Sequence, residues 1–397
     1  MPPPAPKSSM IVLNGSKGAT FLFVSQGACG IAGVVRVNDI VELDARLSAK
    51  ILLFVCRTQA RGPALIIDIF NHFMPRPYLD RIARLIPDHV AVTAFPRLDT
   101  LVDVDARLRL VESFGGLRQV LSLANPPLEA IGPPAVAAEL ARIANDCLAE
   151  ICGRYPHAFP TFIAALPLND VDASITEMDR AIGSLGARGV QLFTNVTGKP
   201  LSAPEFRPIF RRMAGHDLPV WIHPMRGPNF PDYASEQASE DEIWFSFGWP
   251  YETTACMARL IYSGLFDELP ELKIISHHMG GMIPYFPAKI KLGFRQIFYG
   301  TIERNPAAER RDLKKPPLDY FKMLYADTAI GGEPAPTRCG HAFFGTTHCL
   351  FATDAPFDPE QGRALIADTL QGVAALRLPE AEMKLIFGGN AQALLKL

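Results

Sequence analysis

From Ala64 onward, short apolar, β-branched runs alternate with longer stretches of helical spacing. The runs are Leu65–Ile69, Gln119–Leu123, Thr161–Leu166, Gly189–Phe193, Pro219–His223, Lys273–His277, Met323–Asp327 and Cys349–Asp354. Each has strand length and little polar alternation, the pattern of strands buried on both faces. Helical spacing is clearest over Pro134–Cys152, Ala173–Leu185, Glu252–Leu265 and Gln361–Ala375. Strands alternating with helices imply parallel βαβ units. Eight such strands predict an α/β fold, a (β/α)8 TIM barrel over residues 64–397. The competing open, doubly wound sheet carries a Gly-rich phosphate turn after its first strand. Here the first strand runs into Phe70-Asn71-His72-Phe73-Met74-Pro75 with no such turn, which favours the barrel. Residues 1–63 lack the rhythm. They read as an N-terminal extension, partly disordered at MPPPAPKSSM or a small appended element with β-like pieces at Ile11–Leu13 and Thr20–Val24.

The strand ends carry the informative polar residues. His72 follows the first strand, His223 ends the fifth, His277 and His278 end the sixth, and Asp354 ends the eighth. In a barrel the strand C-termini converge on one face, where the active site lies. Imidazoles and a carboxylate meeting there suit a divalent metal such as zinc or manganese, able to polarise a substrate oxygen or activate water. Singly, each histidine also suits a hydrogen-bonded structural role, and Asp354 before Ala355-Pro356 also suits a turn cap. The shared position at strand ends is what separates them from His89, His157, His216 and His348, which read as structural. His277 and His278 are adjacent, so strand alternation predicts that one of them at most faces the mouth.

Composition narrows the partners. A formal net charge of -2 gives no strong pull toward nucleic acid or an anionic membrane. The uncharged segment Gly18–Val35 holds four glycines, Ser25 and Gln26, a poor spanning helix and a weak signal peptide. The seven cysteines are scattered, with no CxxC pair, so a disulfide framework is not indicated and a reducing cytoplasm is the expected compartment.

Four segments then carry a resemblance: Ile67–His72, Trp221–Pro224, His278–Pro284 and Thr353–Phe357. In this order they resemble the signature sites of the amidohydrolase superfamily, whose fold is a barrel of the metal-dependent hydrolase type. The nearest branch is that of aminocarboxymuconate semialdehyde decarboxylase and the resorcylate-type decarboxylases. Gly186–Gln191 and Tyr325–Thr328 also fit it. The resemblance implies that His72, His223 and Asp354 are metal ligands and that His278 is the active-site histidine beside the metal. The family usually begins with IDxHxH, or with glutamate at the first ligand position. Phe70 stands there in this chain and cannot ligate. Family decarboxylases also place a partner-subunit arginine after the HxGG motif, which implies a homodimer. In the matching region Lys289 and Arg295 are candidates to hold a substrate carboxylate, and Arg97 is a further anion-clamp candidate.

The resemblance implies non-oxidative decarboxylation of an aromatic or unsaturated carboxylic acid. Asp354 or His278 would move a proton to the carbon that loses CO2. Trp249, Phe70, Phe73 and Tyr251 are candidate apolar walls for a flat substrate, or plain core residues. Two rivals stand beside this: hydrolysis or hydration of a lactone, ester or amide by the same site, and a barrel without catalysis that binds a ligand.

Overall fold

The structure is a computed structural model that describes residues 8–15, 18–25, 35–36, 65–293 and 313–397. The chain divides into two compact units, Met1–Gly62 and Pro63–Leu397. In the first, strands Ser8–Gly15, Gly18–Ser25 and Val35–Arg36 form an antiparallel sheet in that order. The β-like pieces read from the sequence fall within its first two strands. Among the described residues no helix is long and apolar enough to cross a membrane.

The second unit follows the βα rhythm. Its parallel strands are β1 (Ile66–Phe73), β2 (Leu117–Leu123), β3 (Ala164–Ala165), β4 (Val190–Phe193), β5 (Val220–His223), β6 (Ile274–Ser276), β7 (Tyr325–Asp327) and β8 (Cys349–Leu350). One ladder runs β8-β7-β6-β5-β4-β3 and another pairs β1 with β2. Backbone hydrogen bonds outside the ladders join the two. Ile163 N donates to Leu121 O at 2.8 Å beside β3, and Ile69 N donates to Phe351 O at 3.0 Å beyond β8. The strands thus come together as the (β/α)8 barrel of the sequence reading, with β3 and β8 shorter than their apolar runs.

Helices between strands include α1 (Val104–Glu112), α2 (Pro134–Arg154), α3 (Val171–Ser184), α4 (Arg207–His216), α5 (Trp249–Tyr262), α6 (Pro317–Phe321), α7 (Pro334–Phe344) and α8 (Arg363–Ala374). Local chemistry sets their starts. Asp103 and Asp170 accept from Ala106 N and Ala173 N at 2.8 and 2.9 Å, capping α1 and α3. Pro134 opens α2, where a missing N–H costs nothing. Residues of β4 and β5 are buried on both faces, which explains their unbroken apolar runs. The barrel core joins Ile67, Phe70, Val120, Ile163, Trp221, Ile275 and Leu350 to Ala391, Leu394 and Leu395 near the chain end.

Strand β1 differs from its expected end at Ile69. It continues through His72 to Phe73, with a register shift against β2 between Asp68 and Asn71. A buried polar network holds that irregular stretch. Asp68 accepts from Thr353 Oγ1 at 2.7 Å and Gln119 Nε2 at 2.9 Å. Arg107, fully buried, donates to Thr100 O at 2.7 Å, to Gln119 Oε1 at 3.0 Å and to His72 O. The irregularity is the kind that re-aims side chains beside active sites.

Candidate metal centre and active site

His72 from β1, His223 from β5, His277 just after β6 and Asp354 beyond β8 converge at the C-terminal mouth. One ligand-capable atom from each lies within 4.8 Å of all the others. Ligand bonds near 2 Å set two ligands of one ion at most about 4 Å apart, so small side-chain adjustments suffice. His72 Nε2 meets Asp354 Oδ1 at 2.8 Å, and His278 Nε2 meets Asp354 Oδ2 at 3.4 Å. His223 Nδ1 donates to Pro224 O at 2.6 Å, which leaves its Nε2 with the lone pair. His277 Nδ1 meets Asp327 Oδ2 at 2.5 Å. Among the described residues, His72 Nδ1 and His277 Nε2 are buried with no hydrogen-bond partner. Three imidazoles around one carboxylate, with ring nitrogens left unsatisfied, fit a divalent ion.

Both adjacent histidines reach the site, contrary to the alternation expected of a strand. The reason is local. β6 stops at Ser276, and His278 and Met279 adopt left-handed φ values of 53° and 53°. The two rings end 3.8 Å apart on the same side. Gly281, at φ 61°, completes the turn, and a Cβ there would lie 2.5 Å from Pro250 O. Asp327 Oδ1 accepts from His278 N at 3.0 Å, so the carboxylate that orients His277 also fixes the turn. Asp354 sits at φ 62° and donates its N–H to Phe70 O at 3.1 Å.

Aromatic rings line the cluster. Phe70 lies 4.1 Å from the His277 ring and 5.1 Å from that of His72, forming a floor where no ligand atom stands. Trp249 stands 5.2 Å from the His223 ring and near-parallel to His278 at 6.2 Å, its Nε1 donating to Arg226 O at 3.0 Å. Phe357 lies 5.3 Å from His72, with Phe95 beyond it. Of the other residues singled out from sequence, Arg97 and Lys289 are exposed, and no hydrogen bond or ion pair described joins either to the cluster. Arg295 lies outside the described residues. Phe73 is buried under the Arg107 guanidinium, and Tyr251 is exposed. His89 caps a short helix, while His157, His216 and His348 pair with Glu112, Asp179 and Leu324 O.

The sequence reading kept His277 out of the site in favour of His278, and gave Asp327 no role beyond its place in the Tyr325–Thr328 segment. Asp327 closes β7 as Asp354 follows β8, so the strand-end logic already in hand points to it.

The electrostatics keep proton carriers in unlike states. Burial acts to raise the Asp354 carboxyl, but contacts from His277, His278 and His72 outweigh it and hold it well below the usual carboxylate range. Burial and the nearby His277 lower His278. Burial would lower His277 as well, but Asp327 and Asp354 overcome it and raise the imidazole to about 9. Burial, reinforced by His277 and His72, pushes His223 well below its ordinary value. An anionic carboxylate beside a neutral imidazole is a proton-transfer pair.

Comparison with known proteins meets this geometry. The amidohydrolase family model matches residues 119–397. The chain belongs to the amidohydrolase family. This amidohydrolase is 33% identical over 305 residues to the gamma-resorcylate decarboxylase of Rhizobium sp. (strain MTP-10005), covering 75% of the chain and 88% of that enzyme. It is 27% identical over 300 residues to the 2-amino-3-carboxymuconate-6-semialdehyde decarboxylase of Dictyostelium discoideum, covering 74% and 77%. Among solved structures it resembles the dihydroxybenzoic acid decarboxylase of Polaromonas sp. JS666, bound to manganese and 2-nitroresorcinol. There the TM-score is 0.67 at 28% identity, covering 84% of this chain and 97% of that one.

Proposed function

We propose that this amidohydrolase is a metal-dependent, non-oxidative decarboxylase of an aromatic carboxylic acid. The observation that carries it is the His278–Asp354 pair, set beside the His72, His223 and Asp354 group and faced by Trp249. The decarboxylases that the chain matches support the reaction class. His72, His223 and Asp354 would hold the ion. Manganese, bound in the Polaromonas enzyme, and zinc both suit a mixed nitrogen and oxygen set. A divalent ion there supplies polarisation of substrate oxygens.

The chain's own groups do the rest. Trp249 and Phe357 flank a flat ring, and Phe70 closes the floor. His278 takes up one proton from solvent, held at Nε2 by its contact with Asp354 Oδ2, and delivers it to the ring carbon that bears the carboxylate. A ring electron pair forms the new C–H bond. The carbon–carboxylate bond then breaks, its electron pair restores the aromatic ring, and CO2 leaves. His278 regains its proton from solvent. Arg97, Lys289 and Arg295 are the proposed anchors for the carboxylate before it departs, because a cation there offsets its charge. A homodimer in a reducing cytoplasm completes the reading, supported by the family resemblance and by free thiols at Cys147, Cys152, Cys256, Cys339 and Cys349.

The test is CO2 release across hydroxybenzoates and muconate-like acids. Release from an aromatic acid, abolished in His278→Ala, is the expected result. Silence across the panel with hydrolysis of a lactone or amide would overturn it.

A further inference from the structure

Phe70 leaves the first-strand ligand position empty of donors, and the structure shows what stands against it. The closest ring to Phe70 among the site histidines is that of His277, at 4.1 Å. Its Nε2 is buried, has no hydrogen-bond partner among the described residues, and lies 3.5 Å from Asp354 Oδ1. Its other nitrogen is engaged by Asp327 Oδ2 at 2.5 Å. Asp327 is itself fully buried and is pinned by His278 N at 3.0 Å and Ala329 N at 3.2 Å. A carboxylate behind one ring nitrogen, with the other aimed at a shared centre, is how proteins orient a metal-binding imidazole and raise its basicity.

We infer that the metal ligand absent at Phe70 has moved to His277, oriented by Asp327, and that the turn after β6 supplies both this ligand and the proton-carrying His278. The inference rests on the proposed metal-dependent reading. The left-handed turn makes the division of labour physical, because it places adjacent imidazoles on one side of the backbone. His277 faces the centre with a buried nitrogen, and His278 faces Asp354 Oδ2 under Trp249. Phe70 fits the exchange. A phenyl ring fills the floor beside His277 without competing for the ion.

The test measures metal rather than turnover. The full chain is stripped by chelator, titrated in parallel with manganese or with zinc, and read by calorimetry and, for manganese, by electron paramagnetic resonance of bound Mn(II). Circular dichroism checks that each variant is folded. Wild type is expected to bind about one ion per chain. Asp327→Asn is expected to weaken binding roughly 10–100-fold, as loss of a ligand's orienting partner does. His277→Ala is expected to weaken it more and to change the resonance spectrum, while His278→Ala binds within about threefold of wild type. Wild-type affinity in folded His277→Ala and Asp327→Asn would overturn this inference and leave the metal-dependent reading standing. Wild type that binds no manganese or zinc would overturn both.

Discussion

Arg107 is the residue through which the fold holds the irregular first strand, and Arg107→Leu tests that role. The guanidinium is fully buried, and burial pushes it down to about 10, with Asp68 opposing the shift. It satisfies the carbonyls of Thr100 and His72 and the side-chain oxygens of Gln119 and Asn71, the last at 3.4 Å. Leucine fills part of the volume but donates nothing. Each buried acceptor stranded this way costs about 1–3 kcal/mol. Removing the charge recovers part of its desolvation penalty, so the net loss should be about 3–5 kcal/mol, the range for breaking a buried polar pair from one side. Against a total stability of roughly 5–15 kcal/mol this is a large fraction. Urea denaturation followed by tryptophan fluorescence should show the midpoint lowered by roughly 1–2 M at an unchanged slope, for a slope near 3 kcal/mol/M. Hydrogen exchange should show faster opening of Ile66–Phe73. A midpoint within about 0.3 M of wild type would refute the idea that Arg107 organises β1.

Further outcomes follow from the same geometry. Gly281→Ala should cost about 1–3 kcal/mol from the left-handed backbone alone. The Pro250 O contact at 2.5 Å adds to it, and the variant should lose manganese affinity while far-ultraviolet circular dichroism stays native. Trp249→Ala should raise the KM for an aromatic acid roughly 2–10-fold, the equivalent of one aromatic contact, as steady-state kinetics would show. Burial raises the Glu129 carboxyl from 4.5 to about 7. A raised acid favours the folded state most below its unfolded value and loses that contribution as pH climbs through the folded one. Wild type should therefore lose about 3 kcal/mol relative to Glu129→Gln between pH 4.5 and pH 8, measured by urea midpoints at both ends.

Both-face burial is what made the barrel legible. A strand such as Val220–His223 has no solvent face to interrupt its apolar run, and the rhythm of such runs gives the fold. His72, His223 and Asp354 were readable because barrel topology collects strand ends. His277 was not, since period-two alternation applies only while the chain is extended, and it leaves β6 at Ser276. The register shift in β1 was equally hidden, because it depends on Arg107, Gln119 and Thr353 approaching from distant parts of the sequence. Phe70 read as a lost ligand in one dimension. In three it is the floor on which a neighbouring imidazole rests.

The most direct test of the account is the fate of hydrogen at the carbon that loses its carboxylate. Manganese-loaded protein would be incubated in D2O with a panel of hydroxybenzoates that includes 2,6-dihydroxybenzoate, and the products read by NMR. The expected result is CO2 together with a phenol carrying one deuterium at the vacated ring position, formed by wild type and not by His278→Ala. Unchanged acids across the panel, beside turnover of a lactone or amide, would contradict the account.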